Sequence, residues 1–293
     1  MALAVDTNAE QRSVSSSVPG SSYQYTGQTD DIDARDENDP LAVTSYVQDM
    51  YDYFRTKEVL TAANPGYMDN QSEVNSRMRG ILVDWLLDVH LKFRLVPETL
   101  YLTVNIIDRF LETSDVPRQK LQLIGVTALL IGSKYEEIYP PQLEDLVSIC
   151  DGAFTENEIV KTETVILKAL EYKITIPSAH VFLVRYLKAA HADRKIVQLS
   201  CYILDGTLQN YDLLQYLPSQ LAAAAVLIAR NSTGRNAWSP TLLKYTAYTE
   251  EDVMPVAKAL VKTLKSKTQG LDAVERKYAK AKFGAVAGTR FHV

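Results

Sequence analysis

Met78-Arg79-Gly80-Ile81-Leu82-Val83-Asp84-Trp85-Leu86-Leu87-Asp88-Val89 is the stretch whose reading decides the fold. Spacings of three and four residues align Met78, Ile81, Leu82, Trp85 and Val89 on one stripe, which predicts an amphipathic helix. An ordinary core helix needs no more than that. Here Arg79 also stands on the first turn, and Asp84 and Asp88 lie four residues apart beside Trp85. Apolar anchors flanked by carboxylates serve either a core or a surface that receives a basic, apolar peptide. On these residues alone both uses stay open.

The helical period continues outward. It places helices near 76–92, 97–112, 117–134, 141–149 and 155–169, and a second set near 178–190, 193–210, 216–230, 239–246 and 249–266. Pro97 and Pro117 suit first-turn positions, where a missing N–H costs nothing. Thr155 with Glu158 reads as a capping box, and Thr249 with Asp252 as an acidic cap. In each set the third helix, over 121–132 and 221–229, is apolar or small on nearly every side, as the centre of a bundle must be. Ile106-Ile107-Asp108 with Leu111 matches Ile203-Leu204-Asp205 with Leu208. Two copies of a five-helix unit therefore explain the length better than one large bundle. No alternating apolar run is flanked by hairpin residues, so strands are not expected. The expected fold is all-α: two tandem five-helix repeats with an N-terminal helical extension.

That reading divides the chain into a disordered arm (1–40), an N-terminal helix and loop (41–74), a first repeat (75–176), a second repeat (177–269) and a basic tail (270–293). The arm is rich in Ser, Gly and Gln and lacks apolar periodicity. Asp30, Asp31, Asp33, Asp36 and Asp39 crowd its end and read as a solvated acidic run. A calcium loop counted from Asp31 would need glycine and glutamate where Asp36 and Ala42 stand. The tail, with Arg276, Lys277, Lys280 and Lys282, either frays or forms one more surface helix.

Composition narrows the function. A net charge of -5 argues against a broad field for nucleic acid. Met1-Ala2-Leu3-Ala4-Val5-Asp6 lacks a basic start and a long apolar run, so no secretory signal is read, and no stretch reaches the ~18 apolar residues of a membrane span. An intracellular protein is expected. Cys150 and Cys201 read as two small thiols rather than a disulfide framework or metal cluster. Phosphate-cradling glycine loops, paired zinc-binding histidines and a nucleophile elbow are all missing from the sequence, so catalysis, cofactor and metal are not expected.

The ordered series of motifs resembles the cyclin family. Beside the opening helix it includes Asn105-Ile106-Ile107-Asp108-Arg109-Phe110-Leu111, Lys120-Leu121-Gln122-Leu123-Ile124-Gly125 and Ser133-Lys134-Tyr135-Glu136-Glu137-Ile138-Tyr139-Pro140-Pro141. Asn38-Asp39-Pro40-Leu41-Ala42-Val43, Phe182-Leu183-Val184-Arg185-Tyr186-Leu187-Lys188-Ala189-Ala190 and Trp238-Ser239-Pro240-Thr241-Leu242 are similar to its mitotic, B-type branch. The likeness covers about residues 36–270.

The resemblance implies two cyclin boxes and a regulatory subunit, present in nucleus and cytoplasm, that binds and activates a cyclin-dependent protein kinase in G2/M control. It implies that Lys134 and Glu163 grip the kinase, with Tyr135, Glu136, Glu137, Ile138 and Tyr139 bordering that interface. Position alone would make Lys134 a cation completing the dipole of a buried helix. The opening helix is similar to the family's substrate-docking patch. There Met78, Ile81, Leu82 and Trp85 would take the leucine of an Arg-x-Leu peptide, Asp84 and Asp88 would face its arginine, and Gln122 would bond its backbone. Arg79 and Asp108 are expected to form an internal ion pair. Gly80 departs from the family's usual alanine; it either weakens the helix or permits a close approach. The destruction element of B-type members is another departure: Arg79 to Leu82 and Arg118 to Leu121 fit its spacing but fall in expected helices. The competing reading is a cyclin-fold adaptor or transcription-related module that stimulates no kinase.

Overall fold

The computed structural model describes residues 28–235, 238–266 and 270–293. Among these, twelve α-helices and no strand are found, as the periodicity requires. A leading helix, α1 (Val47–Thr61), precedes a first set α2 (Ser76–Phe93), α3 (Pro97–Thr113), α4 (Leu121–Glu136), α5 (Leu143–Ile149) and α6 (Glu156–Ala169). The second set is α7 (Ala179–Ala189), α8 (Arg194–Leu208), α9 (Pro218–Ser232), α10 (Pro240–Thr246) and α11 (Glu250–Lys265), and α12 (Ala273–Tyr278) follows.

Local chemistry sets most helix starts. Asn75, Ser178, Asp193, Ser239 and Thr249 each accept a backbone N–H of the first turn into a side-chain oxygen. Each such cap contributes roughly 1 kcal/mol. Thr155 and Glu158 form the expected capping box. Pro97 occupies the first turn of α3. Pro117 does not open α4: a short 3₁₀ turn, Arg118–Lys120, intervenes and the helix begins at Leu121.

Helix α4 is the axis of the first core and α9 of the second. Both are buried along nearly their whole length. Gly132 lets α3 and α4 close together, since a Cβ there would sit 2.8 Å from Thr103 Oγ1 and 3.2 Å from the Thr99 carbonyl. Helix α2 serves three neighbours at once. Leu82, Leu86 and Val89 enter the first core, while Val83 and Leu87 enter the second. The remaining face meets α12 and solvent.

Two expectations for the chain ends need correction. Residues 1–27 of the expected arm lie outside the described residues, but 28–36 are packed against the second repeat. Ile32 is buried, and Asp33 makes paired hydrogen bonds with Arg185 at 2.5 and 2.6 Å and with Lys188 at 2.7 Å. Asp36 also meets Lys188, and Asp30 meets His191. Asp33 and Asp36 of the acidic run are thus strapped to the α7 cations Arg185 and Lys188, whereas Asp31 and Asp39 stay exposed as expected. The basic tail is likewise no frayed or purely surface element. Helix α12 lies against α2 and α8, with Lys277 and Tyr278 buried, and Phe291 stacks on Tyr202 at 5.9 Å.

Candidate functional site

Two surfaces and two buried ion pairs hold the residues singled out above. The first surface is the edge where α4 ends beside α6. Lys134 Nζ donates to both carboxylate oxygens of Glu163, at 2.7 and 2.9 Å, so these two residues meet across twenty-nine positions of sequence. Lys134 is half exposed and Glu163 mostly covered. Just past them Ile138 and Tyr139 are 88% and 89% exposed, and Tyr135 is half exposed. Val165 on α6 and Tyr172 beyond it are exposed as well. These exposed apolar side chains are concentrated on one edge, beside the Lys134–Glu163 pair.

Of the residues grouped with this edge, Glu137 turns the other way. Its Oε1 accepts from the Val96 backbone N–H at 2.7 Å and the Thr99 hydroxyl at 2.6 Å, closing the start of α3, which has no cap of its own. The Glu137 carboxylate is thus engaged within the fold, while the residue itself stays partly exposed at the edge. Glu136 stays exposed at the surface, and partial loss of solvation, with the nearby charges of Glu98 and Glu137, pushes its carboxyl above the ordinary value.

The second surface is a groove of about 390 Å³ lined by Met78, Ile81, Leu82, Trp85, Arg118, Leu121 and Gln122. Five of the seven residues expected at the docking patch thus converge, from α2 and the start of α4. Leu82 forms the floor. A Cβ on Gly125 would lie 2.6 Å from Leu82 Cδ1, so only glycine lets that side chain lie flat on α4. Ile81, 51% exposed, stands on the rim.

Asp84 and Asp88 are not among the residues that line the groove, and burial takes Asp84 out of reach of a peptide there. Asp84 is buried, and its Oδ1 accepts the Ala273 backbone N–H at 2.9 Å and the Gln209 side-chain amide at 2.5 Å. Burial raises the Asp84 carboxyl above its ordinary value against these bonds. It acts as a cap supplied in trans to α12, whose own Asp272 makes none. Asp88 is exposed but paired with Arg276 Nη2 at 2.5 Å. The approach of this segment also settles Gly80. A Cβ there would be 3.1 Å from the Gln209 carbonyl and 3.2 Å from Leu271 Cδ1, so glycine admits the chain before α12.

Behind both surfaces lies a doubled device. Arg79, 1% exposed, donates from Nε and Nη2 to the two oxygens of Asp108, each at 2.7 Å. Its Nη1 reaches the Leu208 carbonyl at 2.7 Å, so one guanidinium fixes α2 to α3 and the first repeat to the second. Tyr67 adds a hydroxyl bond to Asp108 at 2.8 Å. Burial alone would pull the Arg79 pKa down; the Asp108 carboxylate overrides it and keeps the guanidinium charged. In the second repeat Asp205 is buried too. It accepts from Lys277 Nζ at 2.7 Å, Tyr101 at 2.8 Å and Tyr278 at 2.9 Å. Burial pushes Asp205 up, but Lys277 outweighs it and the carboxyl stays below its usual range. The sequence reading missed Lys277 and Tyr278; the matched Asp205 was the one signal for them. Burial pushes the Cys150 thiol up to about 11 and the Cys201 thiol up to about 12, which favours the protonated thiol over the reactive thiolate.

Comparison with known proteins decides the lineage. The family model of the cyclin N-terminal domain matches residues 49–175, and that of the cyclin C-terminal domain matches 177–290. The chain belongs to the cyclin family. This cyclin is 45% identical over 261 residues to Cyclin-B2-1 of Oryza sativa subsp. japonica, covering 88% of this chain and 62% of that one. It is 47% identical over 261 residues to Cyclin-B1-2 of Arabidopsis thaliana, covering 88% and 58%. The chain thus spans about three fifths of the length of these B-type relatives. Among solved structures, a viral cyclin from herpesvirus saimiri superimposes with a TM-score of 0.64 at 23% identity, over 76% of this cyclin and 96% of that chain. That likeness is one of fold.

Proposed function

We propose that this cyclin is a regulatory subunit, not itself an enzyme, which binds and activates a cyclin-dependent protein serine/threonine kinase in mitotic control. The observation that carries the reading is the edge at α4 and α6. A fixed Lys134–Glu163 pair stands there beside the exposed apolar side chains of Tyr135, Ile138, Tyr139 and Val165. Activation by such a subunit is differential binding: it favours the kinase conformer whose catalytic groups are aligned. Taking a kinase from 1% to 99% active requires a preference of about 5.5 kcal/mol. One half-exposed ion pair contributes at most about 1 kcal/mol, so the apolar surface must supply most of the rest. The groove between α2 and α4 would recruit substrates by an apolar peptide anchor, beside rather than within the kinase contact.

The test is direct. Purified protein is mixed with a monomeric cyclin-dependent kinase and histone substrate, and phosphate incorporation is followed. A large rise over kinase alone is expected. No rise with any such kinase would leave the adaptor reading in its place.

A further inference from the structure

The groove described above has apolar walls and a single charged lining residue, the cation Arg118. Its guanidinium has no hydrogen-bond or ion-pair partner among the described residues, while its backbone N–H donates to Glu73 at 3.0 Å. No carboxylate lines the walls. The nearest acids on α2 are one turn apart and both are engaged by the α12 segment: Asp84 buried under the Ala273 N–H, Asp88 paired with Arg276. Arg276 is also paired with Asp272, the residue that precedes α12. Its guanidinium is therefore clamped between two carboxylates.

We infer that Arg276 is a built-in stand-in for the basic residue of a docking peptide, so that the groove selects apolar-anchored peptides with little regard to an arginine. This rests on the reading of the groove as a docking site. Three anchors hold the stand-in where it is. Asp84 fixes the first turn of α12, Lys277 is buried on Asp205, and Tyr278 bonds the same carboxylate. Because α12 is held by these buried contacts, Arg276 is delivered to Asp88 without the ordering cost that a free peptide's arginine must meet. An incoming arginine gains Asp88 only by displacing a group already there, and the one charged residue lining the groove, Arg118, carries its own sign of charge. An apolar anchor meets Ile81, Leu82 and Trp85 unchanged, and Gln122 remains free to bond its backbone.

Two fluorescent peptides of equal length, one carrying Arg-x-Leu and the other Ala-x-Leu, are titrated against the full chain. The wild type should bind both with affinities within about twofold. Arg276→Ala should leave the Ala-x-Leu affinity unchanged and strengthen Arg-x-Leu by about fivefold, the scale of one half-exposed charge pair. Adding Asp88→Ala to that variant should remove the gain. A wild-type preference for Arg-x-Leu that Arg276→Ala does not increase would overturn the inference and leave the docking reading standing. So would an equal gain for both peptides. If neither protein binds either peptide, the docking reading falls and the inference with it. A thermal melt of Arg276→Ala close to wild type keeps a misfolded variant from imitating any of these results.

Discussion

Lys277 is buried against Asp205, its Nζ 2.7 Å from the carboxylate, and the pair stands in the second repeat where Arg79 and Asp108 stand in the first. Both aspartates sit on the second helix of their repeat. The cation comes from the first helix in one case and from α12 in the other. Replacing Lys277 by methionine strands a buried carboxylate and should cost about 3–5 kcal/mol, read by urea denaturation. Adding Asp205→Asn should recover part of the loss. A Lys277→Met variant as stable as wild type would show that the pair contributes nothing.

Arg79→Ala should be as severe, again about 3–5 kcal/mol, since Asp108 would keep only Tyr67. The two repeats would also lose the bond from Arg79 to Leu208. Combined with Asp108→Asn, the loss should be smaller than the sum of the two single losses, because the residues act as a unit. Strict additivity in that double-mutant cycle would contradict the coupling.

The edge proposed to bind the kinase should separate binding from stability. Ile138→Asp with Tyr139→Asp changes two exposed side chains and should move folding stability by no more than about 0.5 kcal/mol each. Kinase affinity should fall by about thirtyfold or more, the effect of losing a central apolar contact. Calorimetric titration of kinase into the variant checks this; affinity equal to wild type would move the interface elsewhere.

Acid should weaken the fold through His90. Burial pulls its imidazole below the ordinary value, against the hydrogen bond to the Val96 carbonyl at 3.0 Å, and Lys277 lowers it further. As pH falls, the unfolded chain takes up the proton first. The stability held by the neutral ring is present above about pH 6.5, the ordinary histidine value, and is lost progressively toward the lower folded value. His90→Gln should flatten the slope of unfolding free energy between about pH 7 and pH 5. An undiminished slope would assign it to other groups.

Much of this was legible in the residues. Periods of three and four, the caps at Thr155 and Thr249, and the match of Asp108 with Asp205 lead to a doubled all-α fold, as found. The same spacing brings Met78, Ile81, Leu82 and Trp85 to one wall of the groove. What stayed hidden depends on partners far along the chain. Charged residues such as Lys277 and Asp33 read as solvated by default; only the fold brings them to Asp205, Arg185 and Lys188. Asp84 and Asp88 flank Trp85 in sequence, yet nothing local announces that α12 covers one and pairs with the other. Glu137 follows the same rule, since the donors it satisfies, Val96 and Thr99, lie forty residues back.

The burial of Lys277 also has a consequence for synthesis. Asp205 is translated 72 residues before its cation. At ordinary elongation rates the ribosome delivers Lys277 roughly 4–14 s later. Through that interval the second repeat carries a carboxylate destined for a dry site with no counter-charge, and Asp84 waits for the segment that will cover it. The nascent chain should therefore stay open and protease-sensitive until α12 has emerged, then lock in one step. Ribosome-stalled chains truncated on either side of α12, each followed by a linker long enough to clear the exit tunnel and probed by limited proteolysis, would reveal that step, and equal resistance of the two would deny it.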